Sequence, residues 1–278
     1  MKSICTLLVV FLSVYNGYST NWLSSFEDAQ KLALVQNKLI VVDFWATWCG
    51  PCKKMDSDAW HTNEVGDMMN NFIPLKVDID TQTNLARRYG IKAIPNVYIM
   101  DANGEIVADS KGYMDKVELL NFLDDFVLNT SYVNKELVNY FQRQNFANSL
   151  RLAKRYIDYS LLVDDKVKNN FFSVSNVYLD KANKMLENQP KFEEKIELLK
   201  MTIDVYRGNH KKVVRKLAKT DEATIDPINK ADYYFINYCV CRSNNEADQA
   251  SEWLDKLKTT SNFETYNSKI NMIFKEDS

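Results

Sequence analysis

The feature that most constrains the fold is an apolar run that leads directly into two closely spaced cysteines. Residues 39–44 are apolar and mostly β-branched or bulky except for Asp43, as in a central strand covered on both faces. Pro51 suits the first turn of a helix, because its missing N–H would have no partner there. Cys49 is therefore predicted at a helix N-terminus, where backbone N–H groups favour a thiolate. With two residues between them, Cys49 and Cys52 can form a reversible disulfide.

The motif and two later segments resemble the thioredoxin superfamily. The sequence VDFWATWCGPC contains the superfamily's active-site motif, a lysine follows in LKVDID, and GIKAIP resembles the segment that ends in a cis-proline facing the cysteines. The resemblance covers roughly residues 22–128. It implies a thioredoxin fold, in which a mixed four-stranded sheet is flanked by helices.

The resemblance also implies the site residues. Cys49 would be the nucleophile and Cys52 the resolving cysteine, with the buried Asp43 exchanging a proton and Lys76 pairing with Asp43. An ordinary solvated lysine is an open alternative for Lys76. The predicted client-binding surface comprises Trp48, Gly50, Pro51, Ile94 and Pro95. Trp45 fits this surface and the core equally well.

Local signals place the elements of this α/β domain. Ser24 or Ser25 is expected to cap a helix ending at Gln36, Thr81 a short helix and Asp115 the last helix. Asn103-Gly104 predicts a tight hairpin turn with positive φ angles. The active-site helix is expected to break near residue 63 or 66. The expected strands are residues 39–45, 72–79, 96–100 and 105–108.

The N-terminus predicts export. Lys2 precedes an apolar region over residues 4–15, and small residues flank a potential cleavage site at Ser19. The apolar region is too short to span a bilayer comfortably, so no permanent membrane anchor is expected. The predicted divisions are a signal peptide at 1–19, a thioredoxin-like domain at 20–130 and a helical domain at 131–278, with a periplasmic or extracellular location.

From about Tyr132 the pattern becomes helical throughout, with breaks at regular turn signals. Asn145, Asn209 and Asn245 are each followed by similarly spaced small or apolar residues, a weak repeat that resembles tetratricopeptide helical hairpins. The intervals are irregular, so a compact bundle is the alternative to a solenoid-like arrangement. The second predicted domain is all-α in either case. The predicted breaks lie near residues 145, 164, 189, 208, 220–227, 244 and 261.

Composition excludes several functions. A formal net charge of −2 gives no sign of nucleic-acid binding. Two histidines, His61 and His210, form no ligand cluster, and Cys239 and Cys241 lie too close for a zinc half-site, so neither a metal nor a cofactor is expected. These two cysteines would point in opposite directions on a helix and are predicted to be buried small hydrophobes.

The sequence therefore predicts an exported thiol:disulfide oxidoreductase that reduces disulfide-containing client proteins. Its Gly-Pro dipeptide is that of thioredoxin, whose potential is about −270 mV. By analogy with other exported reductases, the expected electron donor is a membrane thiol transporter. There are two alternatives. One is a client-binding helical protein with an accessory redox domain, and the other is a disulfide isomerase.

Overall fold

The computed structural model describes residues 20–274, so the predicted signal peptide lies outside the described residues. Four strands form one sheet in the order β2-β1-β3-β4, with β1 parallel to β2 and every other pair antiparallel. The strands are β1 Ile40–Trp45, β2 Ile73–Asp78, β3 Asn96–Met100 and β4 Ile106–Lys111. All β1 residues except Trp45 are buried, as the apolar run predicts.

Helices lie between and after the strands. They are α1 Phe26–Gln36, α2 Gly50–Met55, α3 Asn63–Met69, α4 Thr83–Arg88 and α5 Lys116–Asp124, with a π-helical turn over Asp56–Trp60 after α2. Ser25 caps α1 by accepting a hydrogen bond from Asp28 N, and Asp115 forms a capping box with Glu118 at the start of α5. Both caps agree with the sequence analysis.

Two local predictions were wrong. Thr81 does not cap α4, because Gln82 occupies the cap position and the Thr81 hydroxyl donates instead to the Asp78 carbonyl at 3.3 Å. In the β3–β4 turn only Gly104 has a positive φ, 85°. A Cβ at Gly104 would lie 2.6 Å from the Tyr89 hydroxyl oxygen, so this position also requires the absence of a side chain.

The remainder of the described chain is helical. It comprises α6 Ser131–Gln142, α7 Phe146–Tyr159, α8 Asp165–Lys184, α9 Pro190–Tyr206, α10 His210–Leu217, α11 Lys230–Ser243, α12 Ala247–Lys258 and α13 Phe263–Phe274. The turn signals named above fall between these helices. The tetratricopeptide-like repeat stays a prediction. No helix within residues 20–274 is long and apolar enough to cross a membrane.

The hydrophobic core does not divide where the secondary structure changes. One cluster of buried apolar side chains runs from the sheet through α6, α7 and α8 to Ile203 on α9. A second cluster begins on the other face of α9 and fills the space between α10, α11, α12 and α13. The predicted division at residues 130 and 131 coincides with the loop between α5 and α6. The α/β domain nevertheless shares its core with the first helices that follow.

Candidate active site

The two cysteines lie where strand β1 has ended and helix α2 begins. Cys49 is the N-cap residue of α2, and its Sγ accepts a hydrogen bond of 3.1 Å from the backbone N–H of Cys52. The two sulfurs form a disulfide in this structure. When the bond is reduced, the N–H groups of the first turn and the positive end of the helix dipole favour a Cys49 thiolate.

The residues predicted to meet a client surround this disulfide. Gly50 and Pro51 are exposed, and Ile94 packs against the cluster formed by Ala46 and the two cysteines. The Ile94–Pro95 peptide bond is cis. The structure thus brings both chain segments of the predicted binding surface to the same place.

Trp48 forms the exposed rim of the site. Its side chain is 66% exposed, and its indole Nε1 donates a 2.8 Å hydrogen bond to Asp80 Oδ2. That bond ties the exposed ring to the loop after β2. Trp45 has a different position, because it is half-buried and its ring lies 5.1 Å from the Lys76 ammonium.

Asp43 is a buried carboxyl group in the middle of β1. It is 2% exposed, and its Oδ1 atom has no hydrogen-bond partner. Burial raises the pKa of Asp43 from 3.8 to about 7, the charge of Lys76 lowers it, and the charge of Asp56 raises it. A carboxyl that titrates near neutral pH is able to accept and return a proton at physiological pH.

Lys76 lies opposite Asp43 on β2 and pairs with it, as the sequence analysis expected. The distance from Lys76 Nζ to Asp43 Oδ2 is 3.7 Å. The ammonium also hydrogen-bonds Oδ1 of Asp56, and it lies 5.4 Å from the centre of the Trp22 ring. Lys76 is therefore held between two carboxylates and two indole rings rather than solvated.

Sequence reasoning missed Asp56. This residue lies one helical turn after Cys52, at the junction between α2 and the π-helical turn. Its spacing from Cys52 was the available signal, because side chains four residues apart share one helix face. Only the structure shows that Asp56, on this face, contacts Lys76 of β2.

The two remaining described cysteines lie in the second core and are unpaired. Cys239 and Cys241 are both buried on α11, as predicted. Burial raises the pKa of the Cys241 thiol to about 11 and that of Cys239 still further. His61 is an exposed residue at the end of the π-helical turn. No group of three or more potential ligands that could hold a metal ion occurs in the described part of the chain.

The sheet has the order β2-β1-β3-β4, its strand β1 carries a buried acid, and the cysteine pair begins the helix that follows β1. Together these features define a dithiol–disulfide oxidoreductase. The sequence comparisons agree with this class. The profile of the thioredoxin family matches residues 23–125. The chain belongs to the thioredoxin family.

The individual proteins described next each match 40% of this chain or less. A probable thioredoxin-2 of Caenorhabditis elegans is 30% identical over 110 residues, which are 40% of this chain and 74% of the relative. The bifunctional thioredoxin reductase/thioredoxin of Mycobacterium leprae is 32% identical over 126 residues, and the match spans only 27% of that protein. The structure of reduced Schistosoma mansoni thioredoxin pre-protein is 33% identical, with 37% of this chain and 94% of that one covered and a TM-score of 0.30.

Proposed function

We propose that this protein is an exported reductase of client disulfides that works through a mixed disulfide on Cys49. The observation that carries the proposal is the capped Cys49–Cys52 pair, which lies between the exposed Trp48 ring and the Ile94–Pro95 segment. This arrangement leaves an extended client segment free to approach the disulfide from the side of Ile94. A backbone pairing there would present the client sulfur without requiring a particular client sequence.

The reaction balances as two thiol–disulfide exchanges. The Cys49 thiolate attacks one client sulfur, the client disulfide breaks, and the other client sulfur leaves as a thiolate that takes a proton from solvent. Asp43 then accepts the proton of the Cys52 thiol. The Cys52 thiolate attacks Cys49 Sγ, the mixed disulfide breaks, and the second client thiolate departs. Two electrons have passed from the protein dithiol to the client, and the protein is left with its own disulfide.

A further dithiol must then reduce the protein for another cycle. The proposed donor is a thiol carrier that delivers electrons across the membrane, since an exported reductase has no access to cytoplasmic reductant. The proposal of export itself follows from the sequence of residues 1–19. Mass analysis of the mature N-terminus tests it, and an intact Met1 on the protein recovered from its native cell would overturn it.

Insulin reduction with dithiothreitol as electron source tests the activity. Turnover is expected for the wild-type protein and should be lost in both Cys49→Ser and Cys52→Ser. Cys52→Ser should additionally accumulate mixed disulfides on Cys49, because no resolving thiol is present. The matched control is Cys241→Ser, which removes a buried thiol elsewhere and should retain full turnover. No turnover by the wild type would overturn the proposal.

The direction of electron flow has its own test. The Gly-Pro dipeptide favours a potential close to that of thioredoxin, about −270 mV, which makes the dithiol form strongly reducing. Equilibration with glutathione buffers measures the potential of the pair. A value near that of a strong oxidant, about −120 mV, would reverse the assigned direction.

A further inference from the structure

The Lys76 ammonium faces two carboxylates but contacts them unequally. Asp56 Oδ1 hydrogen-bonds Lys76 Nζ, whereas Asp43 Oδ2 lies 3.7 Å away, beyond hydrogen-bond distance. All three side chains are largely shielded, with 18% of Lys76, 20% of Asp56 and 3% of Asp43 exposed. One ammonium group therefore lies beside two carboxylates, and it hydrogen-bonds the more exposed of them, Asp56.

The buried acid is consequently left short of partners. Asp43 Oδ1 has no hydrogen-bond donor, and its other oxygen has only the distant ammonium. The charged groups that bear on it are Lys76 from β2 and Asp56 from the segment after α2. Its register partner on β3 is Val97, which carries no charge. The two cysteines follow the end of β1, with Cys49 at the N-cap of α2 and Cys52 in its first turn.

We propose that Asp56 is a positioning residue for the dithiol reaction: it draws the Lys76 ammonium off Asp43 and so leaves the Asp43 carboxyl able to hold the proton that Cys52 gives up. This assignment rests on the proposed function, because the proton transfer belongs to that reaction. Asp56 itself does not touch the reacting sulfurs. It acts through Lys76 and then Asp43.

The chemistry follows from where the positive charge lies. An ammonium that hydrogen-bonded Asp43 directly would stabilise the carboxylate and weaken it as a base. With Asp56 in place, Asp43 remains a base strong enough to take the Cys52 proton as the mixed disulfide is resolved. Later the carboxyl returns that proton to solvent or to a thiol when the disulfide is reduced again.

A carboxyl titration in the oxidised protein tests the assignment without any turnover. Selective ¹³C labelling of aspartate carboxyls follows Asp43 by NMR, and the spectrum of Asp43→Asn identifies its signal. The wild-type signal should titrate near pH 7. Asp56→Asn should lower that midpoint by about one pH unit, because Lys76 then turns to Asp43 and a nearby negative charge is lost.

The matched control is Asp58→Asn. Asp58 is an exposed acid two residues further along the same turn, where it accepts hydrogen bonds from Ser57 and Tyr113. Its removal changes the net charge equally but leaves Lys76 alone, so the Asp43 midpoint should stay at the wild-type value. Asp56→Ala is a second variant in case Asp56→Asn does not fold, and the same shift is expected from it, since alanine favours a helical position.

A kinetic readout completes the test. Resolution of the mixed disulfide at pH 7 should slow several-fold in Asp56→Asn, and Asp56→Asn should add nothing further in an Asp43→Asn background. Two outcomes would overturn the role of Asp56 and leave the proposed function intact, provided that the wild type reduces insulin. One is an Asp43 midpoint in Asp56→Asn equal to that of the wild type. The other is a shift of equal size in Asp58→Asn. Absence of insulin reduction by the wild type overturns the proposed function and, with it, the catalytic use of this arrangement.

Discussion

The hydroxyl of Tyr178 on α8 donates a 2.6 Å hydrogen bond to Oδ2 of Asp101, the residue that follows β3. Tyr156 on α7 donates to the same oxygen at 2.9 Å, while the backbone N–H groups of Asn103 and Glu105 each donate to Oδ1 at 2.9 Å. Because β3 runs antiparallel to β1, this fully buried carboxyl lies at the opposite end of the sheet from the disulfide. The helical region therefore contacts the α/β domain at the end of the sheet opposite the active site.

Removing the Tyr178 hydroxyl should destabilise the protein. Tyr178→Phe takes one donor from a buried carboxyl, which costs roughly 1.5–3 kcal/mol when the acceptor is charged. Burial raises the pKa of Asp101 to about 6, so the loss should be largest at pH 7 and should shrink as the pH falls below 6. Urea unfolding at pH 7 and pH 5 measures both quantities.

Tyr206→Phe is the matched control for that experiment. The Tyr206 hydroxyl is also buried but has no hydrogen-bond partner. Its removal should leave the free energy of unfolding unchanged or slightly increase it. A loss in Tyr206→Phe as large as that in Tyr178→Phe would show that the Asp101 contact contributes nothing specific.

Asp43→Asn should stabilise the folded protein at alkaline pH. The folded-state pKa of Asp43, about 7, lies above the ordinary value of 3.8, so the folded state binds the proton more tightly. Stability from this group is complete below pH 3.8 and is lost as the pH rises towards 7. The variant escapes that loss, worth about 4 kcal/mol at pH 8, and Lys76 keeps Asp56 as a partner.

Unfolding free energies of the oxidised proteins between pH 4 and pH 8 check this prediction. The difference between Asp43→Asn and the wild type should be small at pH 4 and should grow steadily up to about pH 7. Insulin reduction should fall in the same variant, because the proton acceptor for Cys52 is missing. A difference that stays constant across the pH range would mean that folding does not raise the pKa of Asp43.

Local signals predicted the elements well and the long-range contacts poorly. Ser25 and Asp115 each cap the helix expected of them, because a cap depends only on the next few residues. Asp43 and Lys76 were paired through the family resemblance. No local signal or family resemblance indicated the partners of Asp101. They lie on α7 and α8, 55 and 77 residues later in the chain.

The same limit explains the shared core. The change from mixed to helical periodicity near residue 130 correctly located a change of secondary structure, and it suggested two separable units. Periodicity describes which face of a helix is apolar but does not identify what covers it. The apolar faces of α6, α7 and α8 are covered partly by the sheet domain, and only the structure shows this.

A chain of residues 20–130 should consequently be less stable than the full protein. Cutting there removes the helices that bury Asp101 and also breaks hydrogen bonds such as Asn170 Nδ2 to Val107 O, at 2.8 Å. Thermal unfolding and dye binding to exposed apolar surface measure the effect. A chain of residues 20–208 keeps the first core and is the control, which should hold the α/β domain near its original stability. Equal stability of the shorter chain would show that the interface contributes little.

Asp80 should assist client reduction by holding the Trp48 ring in place. Asp80→Ala frees the indole Nε1 from its 2.8 Å hydrogen bond, so the ring must be ordered when a client binds. One lost hydrogen bond of about 1 kcal/mol corresponds to a decrease of roughly fivefold in kcat/KM for insulin. Thr81→Ala is the control, since the Thr81 hydroxyl bonds only the Asp78 carbonyl nearby and should leave kcat/KM unchanged.

A double-mutant cycle with Trp48→Phe shows whether Asp80 acts through the indole. Phenylalanine has no N–H to donate, so Asp80→Ala should have almost no further effect in that background. Fluorescence anisotropy of Trp48, isolated by difference from Trp48→Phe, should fall when Asp80 is replaced because the ring moves more freely. A full fivefold decrease persisting in the Trp48→Phe background would instead assign Asp80 a direct effect on the client or on the cysteines.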